Sequence, residues 1–194
     1  ADRSVFIYLY VDGRYGTFST NRLEEKELEE FIGQAIVMVR MLGEDRDRRL
    51  PSPERMAKDA RGGNELGLYD RYYEGSDSSS RLERAERMSI FDSLGKKAGY
   101  KVISEECEYA ESADDTFLID SQGFEGRHTE TSFNCFSEVT VQDEEGNRYS
   151  GYWWEASPHH DVLKLEECSH TALERAVSQI GPRTRRSGRY RMVV

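Results

Sequence analysis

The feature that most constrains the fold is a stretch at residues 127–141 in which apolar and polar residues alternate. Successive side chains of a β-strand point to opposite faces, so the pattern predicts one long strand with two different faces. One face carries Thr129, Thr131, Phe133, Cys135, Val139 and Val141. The other face carries His128, Glu130, Ser132, Asn134 and Glu138, with Phe136 among them. The first face suits a hydrophobic core, and the second suits contact with water or with a polar partner.

Turn signals between β-branched and aromatic segments predict further strands around this one. Asp12-Gly13 is a strong signal for a two-residue hairpin loop. Ser121-Gln-Gly123 predicts the turn into the long strand, and the acidic run at 111–115 predicts another turn. The predicted strands lie at 5–11, 14–19, 100–109, 116–120, 127–141 and 148–156.

Apolar residues at helical spacing predict three helices, at about 21–43, 80–98 and 163–180. For the first helix we predict a capping box, with Asn21 as the N-cap and Glu24 three residues later. Gly43 is expected to end that helix, and Gly181-Pro182 to end the last one. Residues 44–80, rich in Pro, Gly and Ser, predict a long connection with one short helix at 53–60.

Hairpins dominate this order, which predicts the α+β fold class. We expect a largely antiparallel or mixed sheet of long hairpins, with about three helices packed on one face. Residues 190–194 read as the start of another strand. A strand that begins there predicts that residues 1–194 are one domain of a longer protein.

Charge and composition exclude some classes of function. The net charge of −10 argues against a direct role on nucleic acid. A local basic group is interpreted as a solvated turn or, alternatively, as an anion or partner site; it comprises Arg183, Arg185, Arg186 and Arg189. No apolar run approaches the roughly 18 residues of a membrane span. The three widely spaced cysteines predict reduced thiols in a cytoplasmic protein.

The residue types that carry chemistry do not form a complete site in the sequence. His159-His160-Asp161 lacks the spacing of zinc ligands and predicts an exposed loop. His128, near Glu130, is a candidate proton carrier or an ordinary polar pair on a sheet. Cys135 is predicted to be a buried structural thiol. Tyr152-Trp153-Trp154 alternates across a strand, for sheet packing or for contact with a partner.

Four stretches, taken in order, resemble the N-terminal domain of the TldD/PmbA family, the modulators of DNA gyrase that are zinc metallopeptidases. The first resembles the family's opening hairpin, and the second resembles a Leu-Tyr-Asp element of the PmbA-like branch. The third resembles its Asn/Asp-Ser-x-Gly turn, and the fourth the junction into its catalytic half. In this sequence the stretches are Val11-Asp-Gly-Arg-Tyr-Gly-Thr-Phe-Ser-Thr-Asn21, Leu66-Gly-Leu-Tyr-Asp70, Asp120-Ser-Gln-Gly-Phe124 and 176–194.

The resemblance implies a non-catalytic part of a peptidase. The family's zinc ligands belong to a His-Glu-x-x-x-His helix and a Cys in the C-terminal half, and this sequence has no His-Glu pair. We therefore expect no catalytic, cofactor-binding or metal residue here, and an inactive segment by itself. The parent protein would hold zinc in a C-terminal catalytic domain that lies outside this sequence.

By the same resemblance, this domain would enclose peptide substrates and take part in a homo-oligomer or a paralogue heterodimer. The residues proposed to line the peptide cavity are His128, Glu130, Ser132 and Asn134. Two alternatives stay open. The chain could be a non-catalytic interaction module linked to DNA gyrase modulation, or the stand-alone domain of an inactive paralogue.

Overall fold

The structure is a computed structural model that describes residues 2–57, 62–91 and 99–193. The chain divides into two compact units, Ala1–Lys58 and Asp59–Val194. The strands are β1 (Val5–Val11), β2 (Arg14–Thr20), β3 (Tyr100–Ile119), β4 (Glu125–Asp143) and β5 (Arg148–Ser157). The helices are α1 (Glu25–Arg40), α2 (Tyr72–Gly75), α3 (Ser78–Met88) and α4 (Leu165–Val177), with one 3-10 turn at Pro53–Arg55.

The first unit is a hairpin covered by one helix. Strands β1 and β2 pair in antiparallel register, with Val11 opposite Arg14. The two residues between them have positive φ, 49° at Asp12 and 71° at Gly13, as a tight hairpin loop requires. This confirms the predicted loop. Helix α1 buries Val39 completely, and a methyl group of Val39 lies 2.7 Å from where a Cβ on Gly16 would be.

Both predicted ends of the first helix were wrong. The N-cap of α1 is Glu24, in an extended conformation and without a side-chain cap. Residue 21 therefore stands too far ahead of the first turn to cap it, and the capping box does not form. The helix ends at Arg40, before Gly43.

The second unit is built on a three-stranded antiparallel sheet in the order β3-β4-β5. Strand β3 is continuous through 111–115, so the predicted acidic turn was wrong. Glu111 lies on the side of the sheet that α3 and α4 cover, and Arg81 Nε lies 2.7 Å from its carboxylate. Asp115 pairs with Arg127 at 2.9 Å. Two of the three acidic residues in this run therefore have basic partners that stabilise them within a strand. The turn after β3 is confirmed, since Asp120 accepts from the backbone N–H of Phe124 at 3.0 Å.

Helices α3 and α4 cover one face of this sheet, and the alternation predicted for β4 is confirmed. Every second residue from Thr131 to Val141 is buried, and the residues between are not. The predicted apolar stripe of α4 is confirmed at Ala172, Leu173 and Ala176. Helix α4 comes very close to β5 at Gly151, where a Cβ would overlap the backbone N of Ala176.

The described part of the second helix is shorter than predicted. Helix α3 starts with a capping box between Asp77 and Ser80 and ends at Met88. Leu82 was expected in the buried stripe but is 60% exposed, whereas Met88 is fully buried. The predicted continuation at 92–98 lies outside the described residues.

Two further segments differ from the expectation. The predicted connection at 44–80 contains α2 and the start of α3. The predicted strand at 190–194 does not form in its described part, since 190–193 carry no regular structure and are exposed. The α+β class with long antiparallel hairpins is confirmed, and the strands form two separate sheets. In the described residues, no helix combines the length and the apolar character needed to cross a membrane.

Candidate functional site

The four residues proposed from the sequence lie in one row on the side of the sheet that faces away from α3 and α4. We call this side the open face. Strand alternation puts His128, Glu130, Ser132 and Asn134 there together. On β3, Thr116 lies opposite His128 and Ser112 lies opposite Ser132. The row is therefore a continuous polar strip along the central strand.

Hydrogen bonds link neighbours within the strip. His128 Nε2 lies 3.2 Å from a carboxylate oxygen of Glu130. The amide of Asn134 donates to Ser132 Oγ at 3.0 Å. The side chains of His128 and Glu130 stay 35% and 49% exposed, so they remain available to an incoming group. These groups can hydrogen-bond an amide backbone, and the Ser132 hydroxyl is hydrogen-bonded to Asn134 while His128 is paired with Glu130.

The edge of β4 beside this strip is closed by residues from the long connection. Strand β5 pairs with β4 only from Phe133 onward. Ahead of that point, Thr129 N–H donates to the carbonyl of Gly63 at 2.6 Å, and Thr131 N–H donates to the carbonyl of Leu68 at 3.0 Å. The connection thus supplies part of the sheet edge, which its composition did not indicate.

A compact polar junction on the covered side holds this connection in place. Both the backbone N–H and the ring Nδ1 of His160 contact Asp70 Oδ2, at 3.0 and 2.7 Å. The ring of His160 stacks on Tyr72 with centroids 3.9 Å apart, and Phe133 meets it edge-on at 6.0 Å. The predicted exposed loop at 159–160 was therefore wrong, since both histidines are half-buried.

The ionised form of Asp70 is strongly favoured at this junction. Partial burial raises the pKa of Asp70, but the hydrogen bonds from His160 and from the backbone N–H of Tyr72 outweigh it. The net result is a pKa lowered from 3.8 to about 2. Sequence reasoning missed the junction because its partners are 90 positions apart. Its only sequence signal is the Leu66–Asp70 stretch that carries the family resemblance.

A second layer of polar groups continues from Tyr72. Arg84 Nε donates to the Tyr72 hydroxyl at 3.0 Å and lies over the ring of Tyr109 at 5.4 Å. Tyr109 donates to Glu111 at 3.1 Å. Burial raises the pKa of Glu111, but the hydrogen bonds it accepts from Ser76, Arg81 and Tyr109 outweigh burial, so the pKa is lowered from its ordinary value. The network is satisfied internally, which is the pattern of a structural support.

The described residues do not fit a zinc site. Asp70, His160 and Asp161 each offer a ligand atom, and these atoms lie within 4.8 Å of one another. However, the His160 ring nitrogen nearest to Asp70 is already hydrogen-bonded to it, and Asp161 is exposed. A structural zinc requires four converging ligands, and a catalytic zinc requires three with an open position. This junction is better explained as a hydrogen-bonded acid–histidine pair.

The cysteines, the aromatic run at 152–154 and the basic group at 183–189 lie in three different environments. Cys135 and Cys168 are buried and Cys107 half-buried, all three as free thiols. Cys135 is thus a structural thiol, as predicted. Trp153 lies on the covered side, while Tyr152 and Trp154 are on the open face and more than half exposed. The arginines of the basic group at 183–189 are all exposed.

The sequence model of the PmbA/TldA metallopeptidase central domain matches residues 70–180, more than half of the 194 residues. The chain belongs to the PmbA/TldA metallopeptidase family, which confirms the family resemblance seen in the sequence. The matching model describes the family's central domain, whereas the sequence stretches resembled its N-terminal domain. The matched region contains the whole sheet β3-β4-β5 and both residues of the junction, Asp70 and His160. A comparison with curated proteins found no match.

Two solved structures have the same fold. One is a "putative modulator of DNA gyrase" from Bacteroides thetaiotaomicron VPI-5482, with 35% identity, a TM-score of 0.79, and coverage of 94% of this chain and 41% of that one. The other has the same description and comes from Thermotoga maritima MSB8, with 22% identity, a TM-score of 0.68, and coverage of 95% and 39%. The second likeness shows the fold alone. The chain spans about two fifths of the length of both structures.

Proposed function

We propose that this chain is the substrate-enclosing and dimer-forming part of a TldD/PmbA-type zinc metallopeptidase that degrades or processes peptides. The zinc and the catalytic groups would come from a catalytic domain of the same parent protein, outside this chain. The partners are that domain, a second copy or a paralogue, and peptide substrates. The three free thiols favour a cytoplasmic protein.

The observation that carries the proposal is the open face itself. Among the described residues of the second unit, helices α3 and α4 pack on one side of the sheet β3-β4-β5, and the other side presents the polar strip of β4. Donors and acceptors on a rigid strand can bind an extended peptide backbone without demanding a particular sequence. Family membership supplies the peptidase context.

The test is a kinetic one on the full-length parent enzyme. Replacing His128, Glu130, Ser132 and Asn134 by alanine should raise KM for a neutral peptide about five- to tenfold, because several weak contacts are lost. kcat should change by less than about twofold, since those contacts are equal in the ground and transition states. Zinc content and dimerisation should not change.

A matched control is the Glu83→Ala/Glu86→Ala variant, which alters exposed residues of α3. It should leave KM unchanged. An unchanged KM in the quadruple variant, with zinc and dimer intact, would remove the support for peptide binding at the strip.

A second candidate is a non-catalytic interaction module linked to DNA gyrase modulation. The description shared by the two solved structures favours it. The net charge of −10 opposes contact with DNA, so such a role would require contact with a protein. Adding the purified chain to a gyrase supercoiling assay tests this, and an unchanged rate at saturating chain would eliminate direct modulation.

A further inference from the structure

Beyond the polar strip, the open face carries an aromatic patch next to β5. Phe136 of β4 lies opposite Trp154, and Glu138 lies opposite Tyr152. The rings of Phe136 and Tyr152 are stacked at 6.2 Å with an interplanar angle of 29°. Tyr152 is 55% exposed and Trp154 is 60% exposed. Large aromatic rings that face water on a rigid strand are the side chains that most often anchor a partner.

Carboxylates surround this patch on the β3 side. Glu106 lies directly opposite Glu138, and Glu108 lies directly opposite Phe136. Like charges that face each other across two strands destabilise a sheet. None of these three glutamates forms an ion pair with any residue among 2–57, 62–91 and 99–193. The chain thus keeps an unfavourable arrangement that an added cation would relieve.

We infer that the open face selects peptides with positively charged side chains, which bind between the aromatic patch and Glu106, Glu108 and Glu138. Arginine suits this place, because its guanidinium stacks on aromatic rings and pairs with carboxylates. In an extended peptide, every second side chain points to the same side, at a spacing of about 6.6 Å. One arginine can therefore meet the patch while the backbone follows β4 toward the polar strip. The inference rests on the proposed function and names the substrate class of the same face.

The direct test uses the 194-residue chain and its two tryptophans. The probe is a heptapeptide of alternating arginine and glycine, and the control peptide has neutral citrulline in place of arginine. The arginine peptide should change the tryptophan fluorescence and bind at least fivefold more tightly than the citrulline peptide. The Trp153→Phe variant should keep the fluorescence change, because Trp153 is on the covered side. The Trp154→Phe variant should lose it.

A pair of charge variants separates local recognition from the general attraction of an acidic chain. Glu106→Gln/Glu138→Gln should weaken binding of the arginine peptide about fivefold, from the loss of two exposed charge interactions. Glu83→Gln/Glu86→Gln changes the net charge equally on the outer side of α3 and should change binding by less than about twofold. The first variant should also raise the urea midpoint, because the opposed like charges are gone.

Equal weakening by both variants would overturn the inference, since it would show attraction by net charge alone. Equal binding of the two peptides would overturn it as well. Neither result touches the proposed function, which is tested with a neutral peptide in the parent enzyme. Conversely, an unchanged KM for the neutral peptide, together with selective binding of the arginine peptide, would contradict the proposed function and leave the cationic site standing.

Discussion

The junction between Asp70 and His160 allows a quantitative prediction about stability. Asp70 Oδ2 accepts from the backbone N–H and from the ring of His160, and its side chain is only 16% exposed. The pKa of Asp70 is about 2 in the folded chain, against a reference value of 3.8. At about 1.4 kcal/mol for each pKa unit, the folded state favours the ionised carboxylate by about 2 kcal/mol.

The Asp70→Asn variant should lose about this much of the free energy of unfolding at pH 7. An asparagine oxygen can still accept from the backbone N–H of Tyr72, as Asp70 Oδ1 does at 2.9 Å. Its NH₂ group would then face the N–H groups of His160, where a donor meets a donor. The loss is therefore that of a charge-assisted hydrogen-bond pair, not of one contact.

The pH dependence has a definite sign. Because the folded pKa of Asp70 is lowered, its contribution is fully present above about pH 4 to 5 and is lost as pH falls toward 2. The difference in stability between the native sequence and Asp70→Asn should therefore be about 2 kcal/mol at pH 7 and should shrink between pH 5 and pH 2.

Urea unfolding followed by tryptophan fluorescence is the assay, since both tryptophans lie in β5 of the unit that contains Asp70. The control is Asp161→Asn, which removes a neighbouring exposed carboxylate and should shift the free energy of unfolding by less than about 0.5 kcal/mol. Equal stability of Asp70→Asn and the native sequence at pH 7 would refute the reasoning, as would a difference that does not change with pH.

Two further predictions concern packing and buried hydrogen bonds. Gly151→Ala should destabilise the second unit by about 2–3 kcal/mol, because the new methyl group overlaps the backbone of Ala176; a thermal melt within a degree of the native one would contradict the close approach. Thr131→Val should cost about 1–3 kcal/mol in urea unfolding, because Thr131 Oγ1 is buried and donates to the carbonyl of Pro158 at 2.8 Å. The matched Thr140→Val change, on the open face, should cost clearly less, and an equal cost at both sites would argue against the buried role of Thr131.

Part of this architecture follows from local sequence alone. The alternation at 127–141 determined β4 and its two faces, because a period of two depends only on the geometry of a strand. The Asp12-Gly13 and Asp120–Phe124 turns were equally readable, because the backbone conformations they require favour those residue types. The position of the polar strip on one face followed from the same alternation.

Other features depended on partners distant in the sequence. The acidic run of β3 looked like a turn, but Arg81 and Tyr109 stabilise Glu111 within a strand, and no local pattern announces them. The 44–80 connection looked structureless because the carbonyls of Gly63 and Leu68 find their donors on β4.

The Asp70–His160 junction and the pairing of Glu106 with Glu138 were decided only by tertiary structure. The first joins residues 90 positions apart, and the second depends on the register of a long hairpin. Sequence determines which residues can face outward, because alternation is local. Which outward residues meet is fixed only when strands pair and loops pack, because a shift of one residue in register would exchange every neighbour across the sheet.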